Sequence, residues 1–310
     1  MSVIDWLLAG DPAIRWQVRR DLLDDPEGAA LDRDLVAREG WGAALLAMQR
    51  EDGSWAGGAW WPAERPDPDD GQPWTGTAHV LMLLVRLGVD PGSRPVRAAV
   101  RRAFDGVRWE DGDAPFLEGE DEACTLATAI AVGAYFGEDM RGPVRRLLAD
   151  RRRDGGWNCD PPARSQRSSL HSTIGALEAL ELYRRSREPE PAVAIAMEDA
   201  HALLLERGLM YRRSTGEVID PAFQRFSFPP YWHYDVLRAL DHLRSTGSPP
   251  DPRLAEAIAL VRSKQTSAGQ WPLENTHRGD VPLTLEDGDG RPSRWNTLRA
   301  MRVLAWWEGA

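Results

Sequence analysis

Apolar residues in this chain recur with helical spacing and fall into two alternating kinds of segment. The first kind is apolar nearly throughout: Thr77 to Leu84, Thr125 to Gly133, Thr173 to Leu182, Asp235 to Leu243 and Thr297 to Trp306. Aligned on their first residues, these segments are spaced 48, 48, 62 and 62 residues apart, and Gln17 to Leu23 fits as an earlier member. That spacing predicts six apolar helices starting near residues 15, 75, 123, 171, 233 and 295. The second kind carries an apolar stripe on a polar background and predicts amphipathic helices at about 41–49, 94–103, 142–152, 192–206 and 252–264. No segment shows the period of two expected of a half-buried strand.

A helix apolar on every side must be covered on every side. Six such helices alternating with polar ones therefore predict an inner ring inside an outer ring: an all-α fold, one (α/α)6 toroid domain over residues 1–310. Connections from inner to outer helix are short, at 88–92 and 136–142, whereas those from outer to inner are long, at 56–74, 207–230 and 272–293. The long loops should gather at the N-terminal ends of the inner helices. A ligand site is expected there, where unpaired helix N–H groups and variable loops meet on a rigid frame.

Three segments share one spacing: Gln49-x3-Gly53-x-Trp55, Arg151-x3-Gly155-x-Trp157 and Gln265-x3-Gly269-x-Trp271. Each follows a helical apolar pattern, so each reads as a helix ending in a glycine turn with the tryptophan packed back on it. Trp109-Glu110-Asp111-Gly112 reads as a weaker version. These turns and the helical period resemble the squalene cyclase and protein prenyltransferase superfamily, over most of the chain. The resemblance implies an α/α toroid. Triterpene cyclases of that superfamily carry two such domains with the cavity between them, and this chain is more similar to its short standalone bacterial members, whose activity the fold does not imply.

Composition narrows the partners. The chain of 310 residues has 38 basic and 48 acidic side chains, for a net charge of −10. That balance argues against a nucleic-acid or anionic-membrane binder. No run approaches the roughly 18 apolar residues of a membrane span. Met1 to Asp5 lacks the pattern of a signal peptide, and Cys124 and Cys159, the two cysteines, cannot form a disulfide framework, so a cytoplasmic protein is expected. Lys264 is the single lysine, which weakens Schiff-base and P-loop mechanisms. Tryptophan dominates the aromatic residues, with 14 Trp against 5 Tyr and 6 Phe.

The helix register supplies candidate site residues. Arg15, Thr75, Ala123, His171, His233 and Trp295 fall two positions before the aligned residue, and Trp16, Gly76, Cys124, Ser172, Tyr234 and Asn296 fall one before. Polar residues collected at such a rim form either a hydrogen-bonded core network or a working site. Prenyltransferase β-subunits bind zinc through an Asp-x-Cys at one inner-helix start and a His at the next. By that resemblance Glu122, Cys124 and His171 are candidate zinc ligands, with Cys159 as a possible further one. The alternative is that Cys124 is a small core hydrophobe.

Asp67-Pro68-Asp69-Asp70 is similar to the Asp-x-Asp-Asp of class II terpene cyclases, whose middle Asp protonates an alkene or epoxide while aromatic faces stabilise the cation. Six residues separate it from Thr77, whereas the family motif runs straight into its helix, and a solvated loop is the competing reading. Asp121 and Glu122 are equal contenders for the acid. The long aromatic segment from Thr215 to Asp235 reads as a lid or cavity wall, with Trp271 to Asn275 and Arg294 to Asn296 on the same side.

The leading expectation is an enzyme that cyclises or isomerises a small apolar, isoprenoid-like substrate by acid initiation. Its acid would be Asp121, Glu122, Asp235 or Asp69, with His171 and His233 accepting or orienting protons. Trp74, Trp232, Tyr234, Trp295, Asn296, Arg294 and Glu274 would bind substrate. No organic cofactor is expected. The second expectation is a zinc-dependent transferase or lyase using Cys124, His171 and a carboxylate, and the third a non-catalytic scaffold that captures a ligand or peptide.

Overall fold

The computed structural model describes residues 2–309, with Pro68 by its backbone alone. Its secondary structure is almost entirely helical. The expected apolar helices are α2 (Pro12–Leu22), α5 (Thr77–Leu87), α7 (Ala123–Tyr135), α9 (Leu170–Arg185), α11 (Val236–Ser245) and α13 (Arg294–Glu308). The expected amphipathic ones are α4 (Gly40–Ala47), α6 (Arg94–Gly106), α8 (Arg141–Ala149), α10 (Pro191–Leu205) and α12 (Ala255–Ser263). Two helices were not legible in the pattern, α1 (Val3–Leu8) and α3 (Pro26–Leu35). Both are set by local capping: Ser2 and Asp5 form a capping box, and Asp25 accepts from Gly28 N at 2.9 Å. No helix among the described residues is long and apolar enough to cross a membrane.

The helices group into two compact units. The middle unit comprises Asp34–Ala200 and Arg278–Leu283. In it α7 lies between α5 and α9, with its closest packing against α9. The sequence of α7, rich in Ala and Gly, allows that approach, and every residue from Ala129 to Ala134 is buried. Gly133 is the tightest point, since a Cβ there would stand 2.3 Å from the sulfur of Met140.

The other unit comprises Met1–Arg33, His201–His277 and Thr284–Ala310. Here α13 lies between α2 and α11, α1 covers α2, and α12 covers α11. A two-residue antiparallel pairing, β1 (Trp271–Pro272) with β2 (Pro292–Ser293), leads into α13. The apolar faces of α2, α11 and α13 enclose a buried ionic network. Arg302 donates to Asp241 through Nε at 2.7 Å and to Asp21 through Nη1 at 3.0 Å, and Arg244 reaches Asp241 at 3.1 Å. Burial would push the Asp241 carboxyl up, but Arg302, Arg244 and Arg299 together hold it well below the usual carboxylate range.

The three glycine-tryptophan turns share one construction. Gly53, Gly155 and Gly269 have φ of +86°, +100° and +76°, the left-handed region that a side chain disfavours. Each tryptophan then joins two helices. The Nε1 atoms of Trp55, Trp157 and Trp271 donate at 2.7 Å to the carbonyls of Leu45, Leu147 and Val261, in the last turns of α4, α8 and α12. Their backbone N–H groups donate at 3.0, 3.1 and 3.0 Å to the hydroxyls of Thr77, Thr173 and Thr297, in the first turns of α5, α9 and α13. A carbonyl in the last turn of one helix and the start of the next helix are thus fixed by one residue. Trp109 departs from this rule. Its Nε1 donates to Phe116 O at 2.8 Å inside its own turn, and Thr125 donates to Glu122 O instead.

Candidate functional site

The strongest cluster of chemically capable side chains lies in the middle unit, at the starts of α7 and α9. Glu122 is the N-cap residue of α7, so the helix geometry that follows turns Cys124 into its first turn, beside it. Cys159 arrives on the loop after the Trp157 staple. Arg152, buried beneath that loop, donates through Nη2 to Asn158 O at 3.0 Å and Asp160 O at 2.7 Å, fixing both peptide groups around the cysteine. The two sulfurs and a Glu122 carboxylate oxygen all lie within 4.8 Å of one another.

The sulfur of Cys159 receives the backbone N–H of Cys124 and the hydroxyl of Ser172, each at 3.2 Å. Ser172 in turn accepts from Cys159 N at 3.2 Å. The Cys124 sulfur also stands 3.8 Å from Glu122 Oε2. The hydrogen bond from the Cys124 thiol, with those from Ser172 and the Cys124 amide, lowers the Cys159 thiol against the opposing effects of burial and Glu122. Donation toward Cys159, burial and the nearby negative charges push Cys124 well up. Cys159 is therefore the sulfur that ionises first, at two helix N-termini that favour its charge.

Two of the three expected ligands, Glu122 and Cys124, are in this cluster, joined by Cys159. His171 occupies the second position of α9, half-buried and next to Ser172, and is not one of the three grouped donors. Among the expected acids, Asp121 projects into solvent with a 3.3 Å contact to Arg146. Asp69 sits in the exposed 3-10 turn Pro68–Asp70, where its carbonyl accepts from Arg278 at 2.7 Å. Trp74 is buried, donating Nε1 to Arg278 O at 3.0 Å and meeting His79 edge-on at 5.3 Å. Burial lowers His79 to about 3, so its imidazole is neutral.

The remaining candidates lie in the other unit, and several are held by the scaffold. Asp235 is the N-cap of α11, 1% exposed, accepting from Arg238 N at 2.7 Å and from the Ser227 hydroxyl at 3.2 Å. Its oxygens are committed to the helix start, so it is not the available acid the register suggested. Tyr234 donates to Leu209 O at 2.6 Å, and Asn296 donates to Phe226 O at 3.2 Å and Pro272 O at 3.0 Å, both from buried positions. Trp295 is buried against Phe228, with centroids 4.2 Å apart. These three contacts tie the aromatic loop to the core.

Arg294 places its guanidinium 4.6 Å over Trp6, and Glu274 pairs with Lys264 at 2.5 Å and accepts from Phe226 N at 2.9 Å. His233 is half-buried and stacked between Trp232 at 3.6 Å and His277 at 3.9 Å, the two imidazole planes 5° apart. His277 also reaches the Ser227 hydroxyl at 3.2 Å.

Sequence reasoning missed Glu286. It accepts from the Ser293 hydroxyl at 2.6 Å and from Trp295 N at 3.1 Å at the start of α13. Burial outweighs these bonds and raises its carboxyl to about 7. Its place in an acidic, glycine-rich loop gave no signal of that burial.

No protein-family model matches this chain, and no curated protein does. Among solved structures it is similar to a crystal structure of a protein from Actinoplanes, at 17% identity and a TM-score of 0.47, with 98% of this chain and 90% of that one covered.

Proposed function

We propose that this protein is a zinc-dependent enzyme of the transferase or lyase class, built around Glu122, Cys124 and Cys159. The observation that carries the reading is the convergence of two sulfurs and a carboxylate oxygen within 4.8 Å. That donor set suits a borderline-soft cation of zinc type. The carboxylate favours a metal over a purely nucleophilic thiol, because a negative charge beside two sulfurs opposes their ionisation unless a cation offsets it. Cys124, Cys159 and Glu122 would hold the ion, three protein donors that leave the fourth tetrahedral position free. With one position open, zinc supplies a Lewis acid and lowers the pKa of a water or thiol bound to it. Ser172 and the Cys124 amide donate to the Cys159 sulfur, and Arg152 keeps its loop in place.

The same reading takes the alternation of buried and amphipathic helices, with its three tryptophan staples, as that of the squalene cyclase and protein prenyltransferase superfamily and its (α/α)6 toroid. The substrate is then small, largely apolar and isoprenoid-like. Elemental analysis of protein purified without chelator is expected to find close to one zinc per chain, lost in Cys124→Ser and Cys159→Ser. Cobalt substitution should add sulfur-to-metal charge-transfer absorption. Wild-type protein that neither retains zinc nor binds cobalt would end this reading.

A second reading, acid-initiated cyclisation or isomerisation, is favoured by Glu286, a carboxyl that keeps its proton to about pH 7. Incubation of metal-stripped protein with linear isoprenoids separates the two. Products that form without metal and vanish in Glu286→Gln support this second chemistry, and products that need added zinc exclude it.

A further inference from the structure

Cys124 and Cys159 are 35 residues apart in sequence, yet the backbone nitrogen of one lies 3.2 Å from the sulfur of the other. Adding an N–Cα bond of about 1.46 Å places the Cys124 Cα within roughly 4.7 Å of that sulfur. The two sulfurs are already within 4.8 Å. Turning a side chain between staggered χ1 wells moves its sulfur by roughly 3 Å, enough to close most of this gap to a bond of about 2.05 Å. Cys124 is fixed at a helix start, whereas Cys159 is on a loop that can absorb the remaining adjustment. Both cysteines are half-buried and retain partial exposure to solvent.

We propose that Cys124 and Cys159 form a reversible intramolecular disulfide, a covalent modification that takes both sulfurs out of the donor set. With hydrogen peroxide as oxidant, one thiolate attacks a peroxide oxygen, giving a sulfenic acid and, after protonation, one water. The other sulfur attacks the sulfenic sulfur, forms the S–S bond and expels the second oxygen as water. Two thiols and one peroxide thus become one disulfide and two waters, with sulfur oxidised and peroxide reduced. A disulfide sulfur has lost the anionic charge that a metal needs, so oxidation releases the ion. That consequence rests on the zinc reading, whereas formation of the bond does not.

The test treats zinc-loaded and metal-stripped protein with stoichiometric hydrogen peroxide, followed by intact mass, peptide mapping and a chromogenic zinc chelator. The expected result is a mass loss of two hydrogens and a peptide pair joining Cys124 to Cys159. Two titratable thiols should fall to none and return with dithiothreitol, with one zinc released per bond. In Cys124→Ser the link is absent and Cys159 accumulates as a sulfenic acid trapped by dimedone. Sulfinic acid on either cysteine without a link, or a link between chains, overturns the proposal. A link that forms in protein unable to bind zinc in either redox state upholds the switch and removes the zinc reading.

Discussion

Arg152 holds Asn158 by a 3.0 Å hydrogen bond from Nη2 to its carbonyl, and the same nitrogen reaches the carbonyl on the far side of Cys159. One buried guanidinium thereby fixes the only donor of the cluster that is not anchored to a helix start. Residues that orient a ligand commonly change metal affinity by about 10–100-fold when removed. Under the proposed zinc reading, Arg152→Ala is expected to weaken zinc binding in that range while Cys159→Ser abolishes it. Competition titration against a chelator of known affinity distinguishes them, and an unchanged affinity in Arg152→Ala would refute the positioning role.

The tryptophan staples predict a matched set of stability losses. Thr173→Val leaves the buried N–H of Trp157 without its 3.1 Å acceptor, and Thr77→Val and Thr297→Val do the same to Trp55 and Trp271. A stranded buried donor costs about 1–3 kcal/mol. Urea unfolding should show losses of that size at all three positions. Thr125→Val, whose hydroxyl bonds Glu122 O and not a staple, should leave the Trp109 turn intact.

Glu286 sets a pH dependence with a definite sign. Its folded carboxyl titrates near 7 against an ordinary 4.5, because burial disfavours its charge. The folded state therefore binds this proton more tightly than the unfolded chain does. Its contribution to stability is full below about pH 4.5 and is lost as pH rises through 7. The effect is at most about 3.5 kcal/mol, at ~1.4 kcal/mol per pH unit. Denaturation midpoints measured at pH 5 and pH 8 should fall with pH in the wild type and change less in Glu286→Gln.

Asp241 acts in the opposite direction. Arg302 and Arg244 hold its carboxyl below the ordinary 3.8 despite burial, so its contribution is present above that value and is lost as pH falls through the folded pKa. Asp241→Asn removes the carboxylate shared by Arg302 and Arg244 and leaves Arg302 only the carboxylate of Asp21, and breaking comparable buried pairs costs up to about 3–5 kcal/mol. Thermal melts at pH 7 should show the loss, and the wild type should destabilise more steeply than the variant below pH 4.

The positions of these helices along the chain were legible because each burial pattern is written locally. A residue at i and its neighbours at i+3 and i+4 share a face whatever the rest of the chain does, so α2, α5, α7, α9, α11 and α13 could be placed from periodicity. The glycine before each staple tryptophan marks a left-handed turn that few other residues adopt, which exposed the repeat. Glu122 and Cys124 were legible as a pair because two positions at a helix start are neighbours by covalent geometry alone. Asp235 shows the limit of such reasoning. Its position at a helix start suggested an acid, but the same position makes it a cap, and only its partners Arg238 and Ser227 decide between those roles.

The amino-acid order alone thus determined where the six apolar and five amphipathic helices lie and where the tryptophan turns fall, since both depend on contacts a few residues apart. Tertiary structure decided that Cys159 stands beside Cys124 and Ser172, that Tyr234, Trp295 and Asn296 face the core, and that Glu286 keeps its proton. Those outcomes depend on how distant loops are laid against helix ends. Local periodicity carries no record of that distance, nor of the solvent each side chain loses when the loops close over it.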